Sequence, residues 1–462
     1  MQIFLDEIES RTPAGIAAAI GRLIASGRLA PGDRLPTVRE FATLLGVSPA
    51  TISHAWQALG SVGLIVSRGR SGTFVLDAAP KWLPARSQSM AGRHQNARID
   101  LSRGTPDPQL LPALGPALSR VSQRAVTPTY QDLPVIPELL AVLTDSWPYP
   151  VESITVVDGA LDAISRSLDA VTRFGDRVIV ESPGFPPFFD LLDQLGLERV
   201  PVDVDRHGIT PSSFQTALKL GPTAVIVQPR AQNPTGASMT AARAEQLARL
   251  LSAHKRNADT VVIEDDHSGE ISISPDVSLG RWLPDRVLHV RSFSKSHGPD
   301  LRIAALGGPA ALVDPIVARR MLGPGWTSRM LQTILYDLLT SRESVDEISE
   351  ARRIYFARQK SLTEALRRHG LDLTQADGVN AWLPVNDERD AIVQLAASGI
   401  RVAGGSPFFA TDSAQSFIRV TAGALPDEVE PIAEALAATT WGAAEPGQGP
   451  MPGVHSLEGR WA

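Results

Sequence analysis

The sequence predicts a two-part α/β protein: an N-terminal winged helix-turn-helix, followed by a larger domain built on a mainly parallel sheet. Three observations lead there. Residues 13–76 carry three helix-period segments and then two short β-type runs, and from about 99 to 440 continuous apolar runs alternate with helical patterns. Between them, over 77–98, periodicity is lost and Pro80, Pro84, Ser87, Ser89 and Gly92 mark a polar linker. A chain of 462 residues is also longer than one ordinary core supports.

In the first part, Ile16, Ile20, Leu23 and Ile24 form an apolar stripe at helical spacing that stops at Ser26-Gly27. After the turn Leu29-Ala-Pro-Gly-Asp33, Val38, Phe41, Ala42 and Leu45 repeat at i, i+3, i+4, i+7, and Gly46 ends that helix. Ser48-Pro49 opens the next helix with an N-cap and a proline at the first helical position, and Ile52, Trp56 and Leu59 form its buried side. Leu64–Val66 and Thr73–Leu76 then read as a hairpin, the wing. In such a unit the second helix of the motif sets its N-terminal residues into the major groove. Here that face offers Ser48, Ala50, Thr51 and Ser53, with Arg39 and the wing's Arg68 placed for phosphate or groove contacts. Residues 1–80 hold seven arginines against six carboxylates, so any DNA contact is local rather than a basic coat.

Bulk composition excludes several classes. Hydrophobic content of 43% with 20% charged residues is that of a soluble globular protein, and a net charge of −6 argues against indiscriminate nucleic-acid binding. No apolar run is long enough to span a bilayer, and Met1-Gln-Ile-Phe-Leu-Asp6 lacks the pattern of a signal peptide, so a cytoplasmic protein is expected. Absence of cysteine removes disulfides, thiolate metal sites and cysteine nucleophiles, and the nine histidines form no ligand pair, so no metal is expected. Chemistry that needs a lysine has only Lys81, Lys219, Lys255, Lys295 and Lys360.

In the second part, Ile154–Val157, Arg177–Val180, Ala224–Val227, Val261–Ile263 and Val287–Val290 are short continuous apolar runs, as expected of strands covered on both faces. Ligands bind such sheets beyond the carboxyl ends of the strands. Lys295 lies there, in Ser292-Phe-Ser-Lys-Ser-His-Gly298, a loop of small hydroxyl residues. Asp158-Gly159-Ala160 opens a helix directly after a strand, leaving backbone N–H groups for a phosphate. Asp265, in Ile263-Glu-Asp-Asp-His267, ends another strand and suits a protonated pyridine nitrogen, a metal loop or a solvated turn. Asn233 in Asn233-Pro-Thr-Gly236 offers an amide donor, Arg302 a bidentate phosphate contact, and Phe185 a ring for stacking. The segment from about Trp441 to 462, rich in Pro and Gly, is expected to be disordered.

Two resemblances follow from these residues. Leu29-Ala-Pro-Gly-Asp-Arg-Leu-Pro-Thr-Val-Arg-Glu-Phe-Ala42, Gly46-Val-Ser-Pro-Ala-Thr-Ile-Ser-His-Ala-Trp56 and Gly72-Thr-Phe-Val75 resemble the winged helix of GntR-type regulators. That likeness implies DNA contacts at Arg39, Ser48, Ala50, Thr51, Ser53, Arg68 and Gly69. Pro49 and Ser53 stand where many relatives carry basic residues, which implies weaker phosphate anchoring. Residues 99–440 resemble the fold-type I pyridoxal-phosphate enzymes, the aspartate aminotransferase superfamily. By that resemblance Lys295 is the Schiff-base lysine, Asp265 the pyridinium partner, Asn233 the O3′ contact and Phe185 the stacking ring. Gly159, Ala160, Ser292 and Arg302 are phosphate ligands, Tyr130 is a phosphate contact lent by the neighbouring subunit, and Arg419 clamps an effector carboxylate. His267 replaces a tyrosine that normally also reaches O3′.

The union of both parts resembles the MocR subfamily of GntR regulators. What it implies is a homodimer that binds double-stranded DNA and holds pyridoxal 5′-phosphate, with 1–76 as the DNA-binding domain, 77–98 the linker, 99–440 the aminotransferase-like domain and 441–462 a tail. An amine or amino-acid effector that forms an aldimine in place of Lys295 is expected to shift the two DNA-binding heads, with no membrane partner. The alternatives are a working aminotransferase with an accessory DNA-binding domain, against which His267 counts, and a sensor of the vitamer alone.

Overall fold

The computed structural model describes residues 2–8, 11–61, 64–76, 84, 86, 97–122 and 133–440. Tyr130, most of the expected linker and the tail 441–462 lie outside the described residues. The chain divides into two compact units, Met1–Gln88 and Ser89–Ala462. No described helix is long and apolar enough to cross a membrane.

The first unit contains α1 (Gln2–Glu7), α2 (Pro13–Ala25), β1 (Arg34–Leu35), α3 (Val38–Leu45), α4 (Pro49–Ser61), β2 (Ile65–Ser67) and β3 (Thr73–Val75). Local chemistry fixes the helix ends. Thr12 accepts from the Gly15 backbone N–H at the start of α2, and Thr37 with Glu40 forms a reciprocal capping box on α3. Gly46, at φ 64°, closes α3 in the left-handed conformation that only glycine adopts without penalty. The predicted stripes meet in one core, where Ile16, Ile20, Leu23, Phe41 and Ile52 are wholly buried. Phe41 is its centre, edge-on to Phe4 at 5.1 Å and tilted against Trp56 at 5.3 Å. β3 lies between β1 and β2 in an antiparallel sheet. The winged helix is therefore as expected, with two additions: α1 and β1 are too short to leave a periodic signal.

An eight-stranded sheet organises the second unit. Its strands are β5 (Ser153–Val157), β6 (Arg177–Ser182), β7 (Glu198–Asp205), β8 (Gly208–Ile209), β9 (Ala224–Val227), β10 (Val261–Asp266), β11 (Val287–Ser292) and β12 (Ala304–Gly308), in the order β5-β12-β11-β10-β9-β6-β7-β8. From β11 through β10, β9 and β6 to β7 every pairing is parallel. β12 runs antiparallel between β11 and β5. β9, β10, β11 and β12 are buried along their whole length, which explains why β9, β10 and β11 read as apolar runs. A smaller layer of β13 (Ala381–Val385), β16 (Ser416–Val420) and β15 (Ala403–Gly404) is antiparallel, while β4 (Ile99–Asp100) pairs with β14 (Ile400–Arg401). Helix Arg342–Arg368 buries Tyr355, Leu362 and Leu366 along one side.

The core around Phe41 yields one expectation. Phe41→Ala removes a fully buried ring and its two aromatic contacts, at a cost of about 3–5 kcal/mol, whereas Thr37→Ala, a lost cap, costs about 1 kcal/mol. Chemical denaturation of the full chain, followed by proteolysis within 11–61, should show the first unit unfolding much earlier in Phe41→Ala. Equal midpoints for the two variants would contradict this core.

Candidate functional site

The carboxyl ends of the parallel strands bring most of the sequence-predicted residues together. Asp158 and Gly159 follow β5, Phe185 follows β6, Gln228 and Asn233 follow β9, Asp265 lies near the end of β10, and Ser292 ends β11 just before Lys295. Residues distant in sequence thus share one end of the sheet.

Asp265 is 2% exposed. Its Oδ2 accepts from Gln228 Nε2 at 2.8 Å, while its buried Oδ1 has no partner. Burial pushes the carboxyl up to about 6 despite the Gln228 bond and the nearby Lys295. Gln228 also accepts from the Asn233 backbone N–H at 2.8 Å, so one amide holds both residues in place. Beneath it, Glu181 takes the Gln228 backbone N–H at 3.2 Å and is raised to about 8 by burial, a neutral carboxyl at neutral pH.

Lys295 is half-buried. Among the described residues no hydrogen bond or ion pair engages its amine. Burial lowers it to about 8, opposed by the charge of Asp265 and reinforced by that of Arg419. Arg419, 3% exposed, donates from Nη1 to Asn233 Oδ1 at 3.2 Å and from Nη2 to the Ser102 carbonyl. Its guanidinium lies 5.0 Å from the Phe408 ring centre and its buried Nε is unpartnered; burial brings the group down to about 10. Asn380, 2% exposed, donates to the same Asn233 oxygen at 3.5 Å and keeps a buried Oδ1 without a partner.

At the other end of the site, Arg302 sits at φ 49°, a left-handed conformation that a non-glycine residue adopts only under constraint. Its Nη2 donates to the Asp158 carbonyl at 3.1 Å. A Cβ on Gly159 would lie 2.5 Å from that nitrogen, so glycine is required for the guanidinium to lie across the loop. Helix Ala160–Val171 begins here with no side-chain cap, leaving its first N–H groups open to an anion. Buried Arg320 braces the loop through Asp158 at 3.2 Å and Asp162 at 3.0 Å. Phe185, half-buried, stands edge-on to Phe188 at 5.3 Å.

Two predicted residues take other partners. His267 Nε2 meets the Ala231 carbonyl at 2.9 Å, and burial lowers its imidazole to about 3, so the ring is neutral and its Nε2–H is committed to the backbone. Buried Ser292 accepts from the Ser294 backbone N–H at 3.3 Å. Sequence reasoning missed Gln228, Glu181, Asn380 and Arg320. Only Gln228 carried a signal, a polar residue directly after an apolar strand.

In the first unit, Arg39, Ser48, Ala50, Arg68 and Gly69 are exposed, and Thr51 and Ser53 are half-buried. Ser48 Oγ caps the Thr51 backbone N–H at 3.2 Å and lies 2.9 Å from the Thr51 hydroxyl. The Arg68 guanidinium lies 5.4 Å from the Phe74 ring centre.

Comparison with known proteins extends this picture. Residues 97–436 match the model for aminotransferase class I and II, and residues 12–75 match that for bacterial regulatory proteins of the gntR family. Over 87% of this chain and 92% of the relative, it is 38% identical to the vitamin B6 salvage pathway transcriptional repressor PtsJ of Salmonella typhimurium. It is 29% identical to the probable rhizopine catabolism regulatory protein MocR of Rhizobium meliloti, covering 81% of this chain and 79% of that one. Among solved structures, the α-aminoadipate aminotransferase LysN of Thermus thermophilus superposes with a TM-score of 0.66 at 20% identity, over 74% of this chain and 92% of that one. Fold and site together define a transcription regulator that joins a winged-helix head to an aminotransferase-like domain. The chain belongs to the MocR subfamily of GntR-type transcription regulators. The cofactor of its aminotransferase-like domain is pyridoxal phosphate. An unpaired buried Asp265 oxygen, a free amine at Lys295 and the uncapped helix beside Arg302 fit that group.

Two outcomes are expected. Gly159→Ala displaces the Arg302 guanidinium and should weaken cofactor binding about tenfold or more in spectral titration; unchanged affinity would count against this cradle. Because the folded-state amine is lowered from 10.5 to about 8, its reactive neutral form accumulates as pH rises through about 8. The rate of borohydride-trapped cofactor attachment should follow that midpoint, and a midpoint at the ordinary 10.5 would reject the buried setting of Lys295.

Proposed function

We propose that the chain works as a homodimer in the cytoplasm, binding operator DNA through its winged helices and sensing a small amine or amino acid at the cofactor site. The observation that carries this reading is the Lys295 amine, which is free of hydrogen bonds and ion pairs among the described residues and lies in the fields of Asp265 and Arg419. When bound, pyridoxal phosphate supplies an aldehyde carbon at which one amine replaces another. Lys295 is then the resident amine. Asp265 would accept a hydrogen bond from a protonated ring nitrogen, its unpaired Oδ1 being available, and Phe185 would give the ring a stacking face. Asn233 would serve the phenolate side, where neutral His267, its Nε2–H given to the Ala231 carbonyl, has no hydrogen left to donate, while Gly159, Ala160, Ser292 and Arg302 would hold the phosphate, with Tyr130 added from the neighbouring subunit. Arg419 receives the carboxylate of an amino-acid effector, its fork already aimed by Asn233 and the Ser102 carbonyl.

DNA contacts are assigned to Arg39, Ser48, Ala50, Thr51, Ser53, Arg68 and Gly69, within a head of residues 1–76 that the linker 77–98 joins to residues 99–440. To signal, the effector must favour one state of the dimer over another, since equal affinity for both shifts nothing. The neutral, backbone-bound His267 supports sensing over rapid transamination, because it offers no phenol to tune the ring. A second reading, in which the vitamer itself is the signal, is favoured by the relative named as a repressor of vitamin B6 salvage.

The reading is tested by spectral titration of the cofactor-loaded chain with amines and amino acids, alongside footprints on the DNA flanking its own gene. An effector should shift the visible band and change protection, and Arg419→Gln should weaken the response to amino acids at least about tenfold while the protein stays coloured. Fast multiple turnover without protection at low salt would replace the regulator with an enzyme. A DNA response to the vitamer and to no amine would favour the second reading.

A further inference from the structure

The reading helix α4 contains no lysine or arginine between Pro49 and Ser61, so cationic contacts to the DNA backbone have to come from other elements. Arg22 and Arg28 are both paired with Glu7, each at 2.9 Å. Arg11 and Arg34 differ from them. Both are exposed, and among the described residues no hydrogen bond or ion pair engages either guanidinium.

Arg34 belongs to the wing. It stands opposite Phe74 in the register of β1 with β3, and directly paired residues of an antiparallel ladder project from one face. A Cβ on Gly72, which precedes Phe74 by two positions, would lie 2.7 Å from Arg34 Nε. Glycine at φ 109° therefore lets this side chain run along the turn. Arg68 reaches the same place from the opposite strand. Its guanidinium lies 5.4 Å from the Phe74 ring centre, and its backbone N–H donates to the Gly72 carbonyl at 2.8 Å. Two cations thus meet at Gly72–Phe74 with no carboxylate bound to either. The charge of Arg34 reaches Glu40, but that carboxylate is held by the Thr37 backbone N–H at 2.9 Å. Like charges gathered on a surface repel, and an anion that bridges them removes the repulsion.

Arg11 occupies a similar position beside α4. A Cβ on Gly46, the left-handed residue that closes α3, would lie 3.7 Å from Arg11 Nη1. This places the guanidinium over the turn that leads into Ser48, beside the start of the reading helix. Pro49 and Ser53 leave that flank without a cation of its own.

We propose that Arg11 and Arg34 are anchors for backbone phosphates of duplex DNA, Arg34 clamping one phosphate with Arg68 at the wing and Arg11 taking another beside Ser48. The assignment rests on the reading of residues 1–76 as a DNA-binding head. A guanidinium fork suits a phosphate bidentately, and such contacts carry no base information, so their contribution is the same on any sequence.

The test measures the affinity of the full cofactor-loaded chain for two duplexes over a range of salt: a fragment of the DNA flanking its own gene, and a random-sequence duplex of equal length. Each phosphate contact steepens the fall of log affinity with log salt by about one. Arg11→Gln and Arg34→Gln should each flatten that slope by about one on both duplexes. Binding should weaken about tenfold near about 0.1 M salt, with the loss fading toward about 1 M. Arg11→Lys and Arg34→Lys keep the charge and should retain the slope of the unsubstituted chain. Arg22→Gln removes the same charge from an arginine already paired with Glu7 and should leave the slope in place. An unchanged slope in either glutamine variant would overturn that anchor. A loss confined to the flanking fragment, or an equal loss in Arg22→Gln, would overturn both while leaving the head a DNA binder. Binding of neither duplex by the unsubstituted chain at low salt would remove the regulator reading along with them.

Discussion

A carboxylate buried at the end of a central strand governs the second unit. Asp265 is shielded from water, bonded through one oxygen to Gln228 and left unpaired at the other. A charge in that position is tolerable only if a cation or a hydrogen-bond donor faces it. Lys295 supplies part of that field, and the proton of a pyridine nitrogen would supply the rest. Around this constraint the other groups fall into order: Gln228 ties Asp265 to the Asn233 backbone, Asn233 accepts from Arg419, and Arg419 in turn lowers the Lys295 amine. The chain from Asp265 to Arg419 is continuous, each link a hydrogen bond among buried groups.

The proposed role of the site in sensing leans on His267. His267 is bound to the Ala231 carbonyl and held neutral by burial, so it stabilises the backbone near Asn233 without offering an ionisable phenol. The winged helix has a matching economy: seven arginines against six carboxylates in residues 1–80 give little general attraction to phosphate. In the proposed dimer, tethering two heads would offset this by raising their effective concentration.

Legibility in the sequence followed the range of each interaction. Helix stripes, Gly46 and the five apolar strands are set by residues within a few positions of one another, so periodicity and helix-breaking residues revealed them. Short elements such as α1 and β1 left too few residues to show a period. β12 was missed because Ala304–Gly308 is made of small residues, and its antiparallel place between β11 and β5 is a property of the sheet. Asn380 was invisible as a functional group for the same reason, its partner lying 147 positions away, and Gln228 showed only as a polar residue after an apolar strand, its partner lying 37 positions away.

By itself the sequence determined the two-part architecture, the winged helix, the parallel sheet and the single lysine placed beyond a strand end, because all of these are written in local spacing and residue type. Tertiary structure alone decided which polar atoms lose water and which keep a partner. Only in three dimensions does Asp265 become a carboxylate with one bonded and one unpaired oxygen, and does Arg302 require glycine at 159. The physical reason is that desolvation and hydrogen-bond satisfaction depend on everything packed around an atom, and most of those neighbours are remote along the chain.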